Sequence, residues 1–402
     1  MSLSLYRSTR ACPVCGLRDA AALHEQRFAL PVGSPLPSAY TVAACTACGA
    51  CFADTPAPQD AYDSYYQQYS RYDDPALGSG GGVTALDRAR LDETARLIAS
   101  LPLARGRSSR VLDIGCAGGG LLQALSEHGF GDLTGLDPSP ACVDRVRQQG
   151  YACHRGTFTR HTELPAAGSY ELVILSHVAE HLLDVGAALQ AIRVLLADGG
   201  AVYVEVPDPS RYEVETFVPF YFFDCEHINH FDRAALANLA RVNGFECVED
   251  GLRSLRVDGG GLYPAVWSYW RKGVGSEASV PDMHLRASLA AYVERSVAAG
   301  AGGPLAELAT SQRPVLLWGA GQHAQRLLTN SALAQCKLWG IVDRDPGKQG
   351  LTLQGHKIRL PEVALAELPA EAAIVVASVL HGDQIAAEIS LAGVRNPVMV
   401  AR

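Results

Sequence analysis

The sequence predicts an α/β protein in which a small cysteine-rich lobe is followed along the chain by two doubly wound sheets. A strand, a glycine-rich turn and a helix follow one another twice, as RVLDIGCAGGGLLQAL from residue 110 and as PVLLWGAGQHAQRLL from residue 314. Two C-x-x-C pairs precede both units. Alternating strands and helices indicate parallel sheets that bind ligands at the carboxyl ends of their strands. We expect three parts, at residues 1–75, 76–250 and 251–402.

Size and composition agree with globular domains. The chain has 402 residues, of which 48% are hydrophobic and 19% charged, and it is too long for one ordinary core. Its net charge of −8 argues against a nucleic-acid partner. No apolar run approaches about 18 residues and no signal core begins the chain, so we expect a soluble, cytoplasmic protein with no membrane partner. A monomer is the favoured state.

The paired cysteines predict a metal site. Cys12 and Cys15 form one pair, Cys45 and Cys48 form the other, and a glycine follows each pair. Such knuckles turn tightly and point both sulfurs inward, so the four thiolates predict one tetrahedral Zn²⁺. Four thiolate ligands leave no open position for chemistry, which makes the predicted zinc structural. Four unrelated thiols and a redox C-x-x-C are the alternatives, and nearby Cys51 is expected to be a free thiol.

The central part begins with a glycine-rich linker, GSGGG, and an amphipathic helix over residues 86–101. The first strand and its glycine turn follow, and the second strand, DLTGLD, ends at Asp137. The third and fourth strands are expected in YELVILSHVAEHLL and GGAVYVEVPD. The turn allows backbone N–H groups to approach a ligand, and an acid at the end of the second strand suits the hydroxyl groups of a ribose.

The turn D-I-G-C-A-G-G resembles the D-x-G-x-G-x-G motif of class I S-adenosylmethionine (SAM) methyltransferases, with Ala117 at the middle glycine. The resemblance implies SAM as the cofactor, with Gly115 and Gly119 around its methionine part, Asp113 beside that part and Asp137 on the ribose. A dinucleotide is less favoured, because its fingerprint is G-x-G-x-x-G. The other candidates for this pocket lie in the turn and at the ends of the second and third strands: Cys116, Gly118, Pro138, Ser176 and His177.

The segment HVAEH also matches the H-x-x-E-H pattern of zinc proteases through His177, Glu180 and His181. That pattern requires a helix, whereas here it ends a strand that must face the cofactor. We therefore expect His177 to line the SAM pocket and His181 to lie nearer to the substrate. Polar capping of the strand end is the plain alternative for each residue.

In the third part, an alanine-rich helical stretch at residues 283–310 leads to the second strand–turn–helix unit. Its turn, Gly319-Ala-Gly321-Gln-His-Ala324, fits G-x-G-x-x-G/A, and Asp343 ends the next strand. A glycine turn followed by an acid of this kind would by itself favour NAD.

The order of a four-cysteine lobe, a SAM domain and a C-terminal half-Rossmann domain resembles the sugar C-methyltransferase family along nearly the whole chain. VEVPDPSRYEVETF…EHINHF is similar to the family's V-E-V-P-D segment, which runs to an E-H pair and a later Phe. VDRDPGKQGLTLQGHKI is similar to its V-D-R-x-P-x-K-Q-G segment. The resemblance implies a nucleotide-linked keto-deoxysugar as substrate, held partly by a C-terminal Rossmann-like domain that uses no NAD.

The stretch YFFDCEHINHF, residues 221–231, carries the candidate catalytic groups. The resemblance assigns the general base to His227 and a supporting role to Glu226. An imidazole suits the removal of a proton next to a ketone, and a nearby carboxylate can orient the ring. The family has a tyrosine where this chain has Asp224, which leaves the sugar open, and Asp224 and His181 complete the catalytic candidates.

Other functions stay open at this point. A metal ion at residues 221–231 is disfavoured, because the stretch offers no evident third ligand. An O- or N-methyltransferase acting on another glycan or small molecule is the main alternative to C-methylation. A nucleic-acid methyltransferase is the remaining one, against which the acidic composition argues.

Overall fold

The structure, a computed structural model, describes residues 4–69, 80–157, 167–215, 217–257, 261–274 and 278–401. These residues form three β-sheets, of five, seven and six strands. The predicted boundary between residues 75 and 76 lies outside the described residues. Within them, no helix has both the length and the apolar character needed to cross a bilayer.

The first sheet is antiparallel and has the order β1-β2-β3-β4-β10. Its strands are β1 (Ser4–Arg7), β2 (Asp19–Arg27), β3 (Ala39–Cys45), β4 (Cys51–Asp54) and β10 (Asn229–His230). Helix α1 (Gln59–Tyr69) follows β4. Strand β10 comes from the candidate catalytic stretch and pairs with β4, with His230 opposite Cys51. The cysteine-rich lobe is therefore completed by a segment almost 180 residues further along the chain.

The second sheet has the order β11-β12-β9-β8-β5-β6-β7. Strands β5 to β9 are parallel, and β12 is antiparallel to both of its neighbours. The strands are β5 (Arg110–Ile114), β6 (Asp132–Asp137), β7 (Ala152–Arg155), β8 (Tyr170–Ser176), β9 (Leu196–Pro207), β11 (Phe245–Arg256) and β12 (Leu262–Lys272). The helices are α2 (Ala85–Ser100), α3 (Gly120–Glu127), α4 (Pro140–Gln148), α5 (Val185–Leu195) and α6 (Arg233–Val242). All four strands predicted for the central part are confirmed.

Helices cover both faces of this sheet. Alternate residues of β5 point to opposite sides, as strand geometry requires. Val111 packs in one core with α2, α3 and α4, whereas Leu112 and Ile114 pack in a second core with α5 and α6. The second core also contains three buried cysteines of the first lobe, Cys12, Cys45 and Cys48. The lobe therefore lies on the α5 and α6 side of the sheet.

The second sheet extends beyond residue 250, where we predicted that the central part ends. Strands β11 and β12 form a hairpin, and β12 pairs with β9 along seven residues. A boundary after residue 250 would cut β11 in two. The hairpin was missed because β11 is an edge strand with only two buried residues, and its sequence carries little hydrophobic alternation.

The third sheet has the order β15-β16-β14-β13-β17-β18 and is parallel except for β15. Its strands are β13 (Val315–Trp318), β14 (Leu338–Val342), β15 (Thr352–Leu353), β16 (His356–Arg359), β17 (Ala373–Val376) and β18 (Val398–Val400). Its helices are α8 (Pro304–Ser311), α9 (Gln322–Asn330), α10 (Pro361–Ala366) and α11 (Gly382–Leu391). Helices α8 and α9 pack on one face, and α10 and α11 pack on the other.

The helical stretch predicted at residues 283–310 is two helices. Helix α7 (His284–Gly300) ends before Gly303, which has a φ of 74°, and α8 begins at Pro304. Proline fits the first turn of a helix but ends the preceding one. The break separates α7, which packs on the first lobe, from α8, which packs on the third sheet.

An aromatic core joins the first lobe to the candidate catalytic stretch. Phe222 and Phe223 are buried between the first sheet and α7, where they contact Tyr292. Tyr212 stacks on Phe222 with ring centroids 3.8 Å apart. Aromatic side chains bury large areas and pack with defined geometry, so residues 221–231 have a fixed position between the lobe and α7.

Candidate active site

The glycine-rich turn between β5 and α3 has a backbone that only glycine adopts easily. Gly115 and Gly119 have φ values of 71° and 81°. A Cβ atom on Gly115 would lie 2.6 Å from a methyl carbon of Val178, and one on Gly119 would lie 2.7 Å from Oε1 of Gln149. The turn therefore needs glycine for conformation and for space, which agrees with a backbone shaped to approach a ligand.

Asp137, the last residue of β6, lies next to this turn and binds its backbone. Its Oδ2 accepts a hydrogen bond from the backbone N–H of Ala117 at 2.9 Å, and its Oδ1 accepts one from the N–H of Ser139 at 2.9 Å. Pro138 lies between them and leads into α4. The carboxylate thus fixes the turn and lies where a ribose would bind in an open α/β sheet.

Asp113, the last-but-one residue of β5, is almost fully buried. Burial, together with the negative charge of Asp137, raises the pKa of Asp113 to about 8. A cationic ligand group at this position would favour the charged carboxylate. The two acids therefore make this end of the sheet suited to a ligand with hydroxyl groups and a positive charge, as SAM has.

The side chain of Cys116 points toward Cys153 of β7. Its Sγ lies 3.9 Å from Sγ of Cys153 on β7, and the side chain is buried. Any contact of Cys116 with a cofactor would be made by its backbone. A Cβ atom on Gly118 would point toward the backbone of Gly81.

Part of the predicted glycine linker belongs to this site. The carbonyl of Gly80 accepts a hydrogen bond from the N–H of Gly120, at the start of α3, at 3.1 Å. Asp87 on α2 holds the segment by accepting from the N–H groups of Gly80 and Gly82 at 3.0 and 2.7 Å. A Cβ on Gly118 would lie 2.9 Å from Cα of Gly81. Residues 80–82 therefore pack against the turn, and only glycines allow the two backbones to come so close.

His177 follows Ser176, the last residue of β8, and has a φ of 56°. Its Nδ1 lies 3.3 Å from Oε1 of Glu180, and its Nε2 lies 3.6 Å from Oε1 of Glu205. Burial alone would lower the pKa of His177, but the two carboxylates outweigh it and raise the pKa to about 9. His177 is therefore an imidazolium in a buried charge network, and Arg253 balances that network by its 2.6 Å ion pair with Glu205.

The H-x-x-E-H match is not a protease site. Residues 179–181 form one 3₁₀ turn directly after β8, so the two histidines do not share a face of an α-helix. His177 faces Glu205 on the neighbouring strand β9, whereas His181 faces His227.

His181 and His227 lie together. Their ring centroids are 4.8 Å apart. Nδ1 of His181 lies 3.0 Å from the hydroxyl of Tyr66 and 3.1 Å from the carbonyl oxygen of Glu226. Burial lowers the pKa of His181 to about 4, so the ring is neutral at physiological pH. Tyr66, on α1, is a site residue that sequence reasoning missed, since no motif marks it.

His227 is positioned by Asp224. Oδ1 of Asp224 accepts from the backbone N–H groups of Glu226 and His227 at 2.9 and 2.7 Å. Oδ2 of Asp224 lies 3.7 Å from Nδ1 of His227. We expected Glu226 to orient the imidazole, but the structure places the carboxylate of Asp224 beside Nδ1, while Glu226 accepts a hydrogen bond from Gln322 on α9.

The structure brings two potential metal ligands from outside residues 221–231 next to His227. Glu180, His181 and His227 each offer one ligand atom, and the three atoms lie within 4.8 Å of one another. Both carboxylate oxygens of Glu180 are buried, and apart from the 3.3 Å ion pair with His177 they have no hydrogen-bond partner among the described residues. The cluster can therefore serve acid/base chemistry or hold a divalent cation.

The four cysteines of the first lobe come together as the spacing predicts. Sγ of Cys12 lies 3.6 Å from Sγ of Cys48, and Sγ of Cys15 lies 3.5 Å from Sγ of Cys45. All four sulfurs lie within 4.8 Å of one another. A tetrahedron with Zn–S bonds of about 2.3 Å has sulfur atoms about 3.8 Å apart, so the donor set fits zinc. Cys51 is buried on β4, outside this cluster.

Comparison with known proteins agrees with the geometry of the second sheet. Residues 86–250 match the sequence profile of a family described as a methyltransferase domain. A ubiquinone biosynthesis O-methyltransferase of Bordetella avium is 31% identical over 124 residues, which are 30% of this chain and 49% of that protein. The enzyme of the same name from Azorhizobium caulinodans is 34% identical over 101 residues, covering 24% and 39% of the two chains. The chain thus spans about half or less of the length of these relatives.

Solved structures with a similar arrangement include a SAM-dependent methyltransferase of Mesorhizobium loti, at 20% identity and a TM-score of 0.36. That match covers 46% of this chain and 100% of the other. The 1,6-didemethyltoxoflavin-N1-methyltransferase of Burkholderia thailandensis matches at 18% identity and a TM-score of 0.36, over 46% and 80% of the two chains.

The sheet, the turn and the family match together define a class I SAM-dependent methyltransferase domain. SAM is the cofactor of this domain. The residues that bind SAM are still a prediction from the sequence. The structure shows that the predicted residues lie at the carboxyl ends of β5, β6 and β8.

SAM affinity should depend on Asp137. Asp137→Ala removes a charged acceptor for the ribose and the partner of the Ala117 N–H, and loss of one such hydrogen bond costs about 1.5–3 kcal/mol. We expect the Kd for SAM, measured by calorimetry, to rise about tenfold or more while the fold persists.

The third sheet offers a matched control. Asp343 accepts from the N–H groups of Ala320 and Asp345 in the same way as Asp137 accepts from its turn. Asp343→Ala should leave the Kd for SAM unchanged. An unchanged affinity in Asp137→Ala would remove this residue from the cofactor site.

Proposed function

We propose that the protein methylates a carbon atom of a nucleotide-linked keto-deoxysugar, with His227 as the general base. The observation that supports this most is the meeting of three parts of the chain around His227. The ring of His181, after β8, lies against that of His227, Tyr66 of α1 contacts His181, and Gln322 of α9 donates to the neighbouring Glu226. A site closed by the third sheet suits a substrate that has both a sugar and a nucleotide.

Proton removal is the step that this chain must catalyse. A carbon next to a ketone becomes nucleophilic when its proton is removed, and general bases contribute about 10²–10⁴-fold to such steps. His227 takes that proton, and the electron pair of the C–H bond remains on the substrate as an enolate. When bound, SAM supplies the electrophilic methyl group. The neutral ring of His181 adds no positive charge beside His227, and the turn and the third sheet fix the positions of the reactants.

We propose further that the third sheet is a Rossmann-like domain that binds the nucleotide part of the substrate. Its parallel strands, the left-handed Gly319 at the end of β13 and the acid at the end of β14 support this reading. Lys348 forms an ion pair of 3.1 Å with Asp343. The preference for a nucleotide sugar over NAD rests on the sequence resemblance, since either ligand carries a ribose that this acid suits.

We also propose that the four cysteines hold a structural Zn²⁺. Their mutual distances fit the ion, and a closed set of four thiolates adds folding energy without providing a Lewis-acid site.

O-methylation of a different small molecule is the second candidate. The names of the curated relatives favour it, and so does the cluster of Glu180, His181 and His227, which can bind a cation that lowers the pKa of a substrate hydroxyl. Under this alternative, chelation of that cation would stop transfer even when the zinc content of the cysteine lobe is unchanged.

Loss of zinc should destabilise the protein. Cys45→Ser removes one thiolate from the closed set, so we expect zinc content below one per chain and a lower Tm in calorimetry. Cys336→Ser, outside the cluster, should retain both values. A metal-free protein with the same Tm as the zinc-loaded one would contradict a structural role for zinc.

Removal of the base should stop transfer without loss of SAM binding. We expect His227→Ala to reduce kcat by about 10²–10⁴-fold. The Kd for SAM should be retained, because the glycine-rich turn between β5 and α3 and the end of β6 do not include His227. The rate should fall at acid pH, since a protonated imidazole cannot accept the substrate proton. His284→Ala, an exposed histidine at the start of α7, is the control.

Solvent exchange separates carbon from oxygen acceptors. In D₂O the native enzyme should introduce deuterium next to the ketone of the acceptor, and His227→Ala should not. A fully active His227→Ala would exclude this residue as the base and leave Asp224 or His181.

A further inference from the structure

Asp224 is placed to control which nitrogen of His227 carries a proton. Its Oδ1 binds two backbone N–H groups and so folds the chain into a tight turn, which brings Nδ1 of His227 within 3.7 Å of Oδ2. The carboxylate is 5% exposed. Nδ1 of His227 is enclosed and has no hydrogen-bond partner in the described part of the chain, so the carboxylate acts on it by its charge at 3.7 Å. Since the ring is still 18% exposed, its open edge is the one away from Asp224.

The surroundings keep Asp224 ionised. Burial raises its pKa, but His227, Arg326 and the two backbone N–H groups outweigh burial and lower the pKa below the ordinary value. Arg326 lies on α9 of the third sheet, is 3% exposed and stacks over the ring of Tyr221 at 5.6 Å. Its Nε and Nη1 have no hydrogen-bond partner among the described residues, so its charge is available to act on Asp224.

The backbone of Asp224 is also fixed. The hydroxyl of Tyr40 on β3 donates to its carbonyl oxygen at 2.8 Å. The first sheet therefore holds the main chain of Asp224, and α9 supplies a cation whose charge lowers the pKa of its side chain.

We propose that Asp224 is a positioning residue that keeps a proton on Nδ1 of His227 and thereby leaves Nε2 free to accept the substrate proton. This inference rests on the role of His227 in the proposed function. A carboxylate that faces one imidazole nitrogen favours the tautomer with its proton on that nitrogen, as in the aspartate–histidine pairs of hydrolases. Arg326 supports the arrangement by keeping Asp224 negative.

The proton balance is simple. The substrate proton moves to Nε2 of His227, the electron pair of the broken bond stays on the substrate, and the ring becomes an imidazolium with both nitrogens protonated. The carboxylate of Asp224 stabilises that imidazolium and does not take the proton itself. His227 then returns its Nε2 proton to solvent after methyl transfer.

Asp224→Asn tests the idea with little change in shape. The amide oxygen can still accept the two backbone N–H groups, but its NH₂ then faces Nδ1 of His227, and Nδ1 must become an acceptor. The ring proton moves to Nε2, which can no longer act as a base. With the acceptor identified for the native enzyme, we expect kcat to fall about 10²–10⁴-fold, with KM and SAM affinity unchanged.

Asp232→Asn is the matched control. Asp232 is also buried and also binds a backbone N–H, that of Ala235, at 2.9 Å, where it caps α6. The control should retain native kcat. If Asp224→Asn retains native kcat as well, the proposal is wrong.

A second measurement needs no acceptor. Protein with ¹⁵N-labelled histidine and bound S-adenosylhomocysteine is observed by NMR at a pH where the rings are neutral, and the His227 signals are assigned through His227→Gln. Native His227 should carry its proton on Nδ1, and Asp224→Asn should carry it on Nε2. A native ring protonated on Nε2 would overturn the role of Asp224. Failure to methylate any nucleotide sugar would contradict the proposed function alone, because the tautomer is read without one.

Discussion

The buried guanidinium of Arg10 connects the cysteine lobe to both segments that carry the candidate catalytic histidines. It donates to the carbonyl of Leu183 at 2.8 Å, to the carbonyl of Ile228 at 3.0 Å and to Oδ1 of Asn229 at 2.6 Å. These acceptors lie next to His181 and His227. Burial lowers the pKa of Arg10 to about 10, which leaves it charged. A buried charge of this kind is stable only while its hydrogen bonds are made, so the lobe and the catalytic segments must be ordered together.

Buried carboxylates set the charges at the candidate active site. Glu180 and Asp224 each face a histidine three residues away in the chain, whereas Glu205 faces Arg253 of β11. His177 stays cationic between two carboxylates, whereas His181, with less compensation, is neutral. Burial acts in the same direction on both rings, so the difference comes from the number of carboxylates within reach.

Local patterns in the sequence predicted much of this molecule. The strand DLTGLD is β6 to the residue, the four cysteines meet, and the glycines of the first turn have the backbone that their spacing requires. Arg10, Tyr66 and Arg326 escaped prediction because their partners lie far away in the chain, 115 residues away for Tyr66 and His181. The pairing of Asp224 with His227 could have been found, since an aspartate three residues before a histidine fits a side-chain-capped turn.

The central claim is that the transferred methyl group becomes bonded to carbon. The most direct test uses SAM with a ¹³C-labelled methyl group and a panel of nucleotide-linked keto- and hydroxy-sugars, with the product observed by ¹³C NMR. The account predicts a keto-deoxysugar product whose labelled methyl group has the ¹³C chemical shift of a C–CH₃ group. A methoxy signal from any of these acceptors, with no C–CH₃ signal, would contradict it.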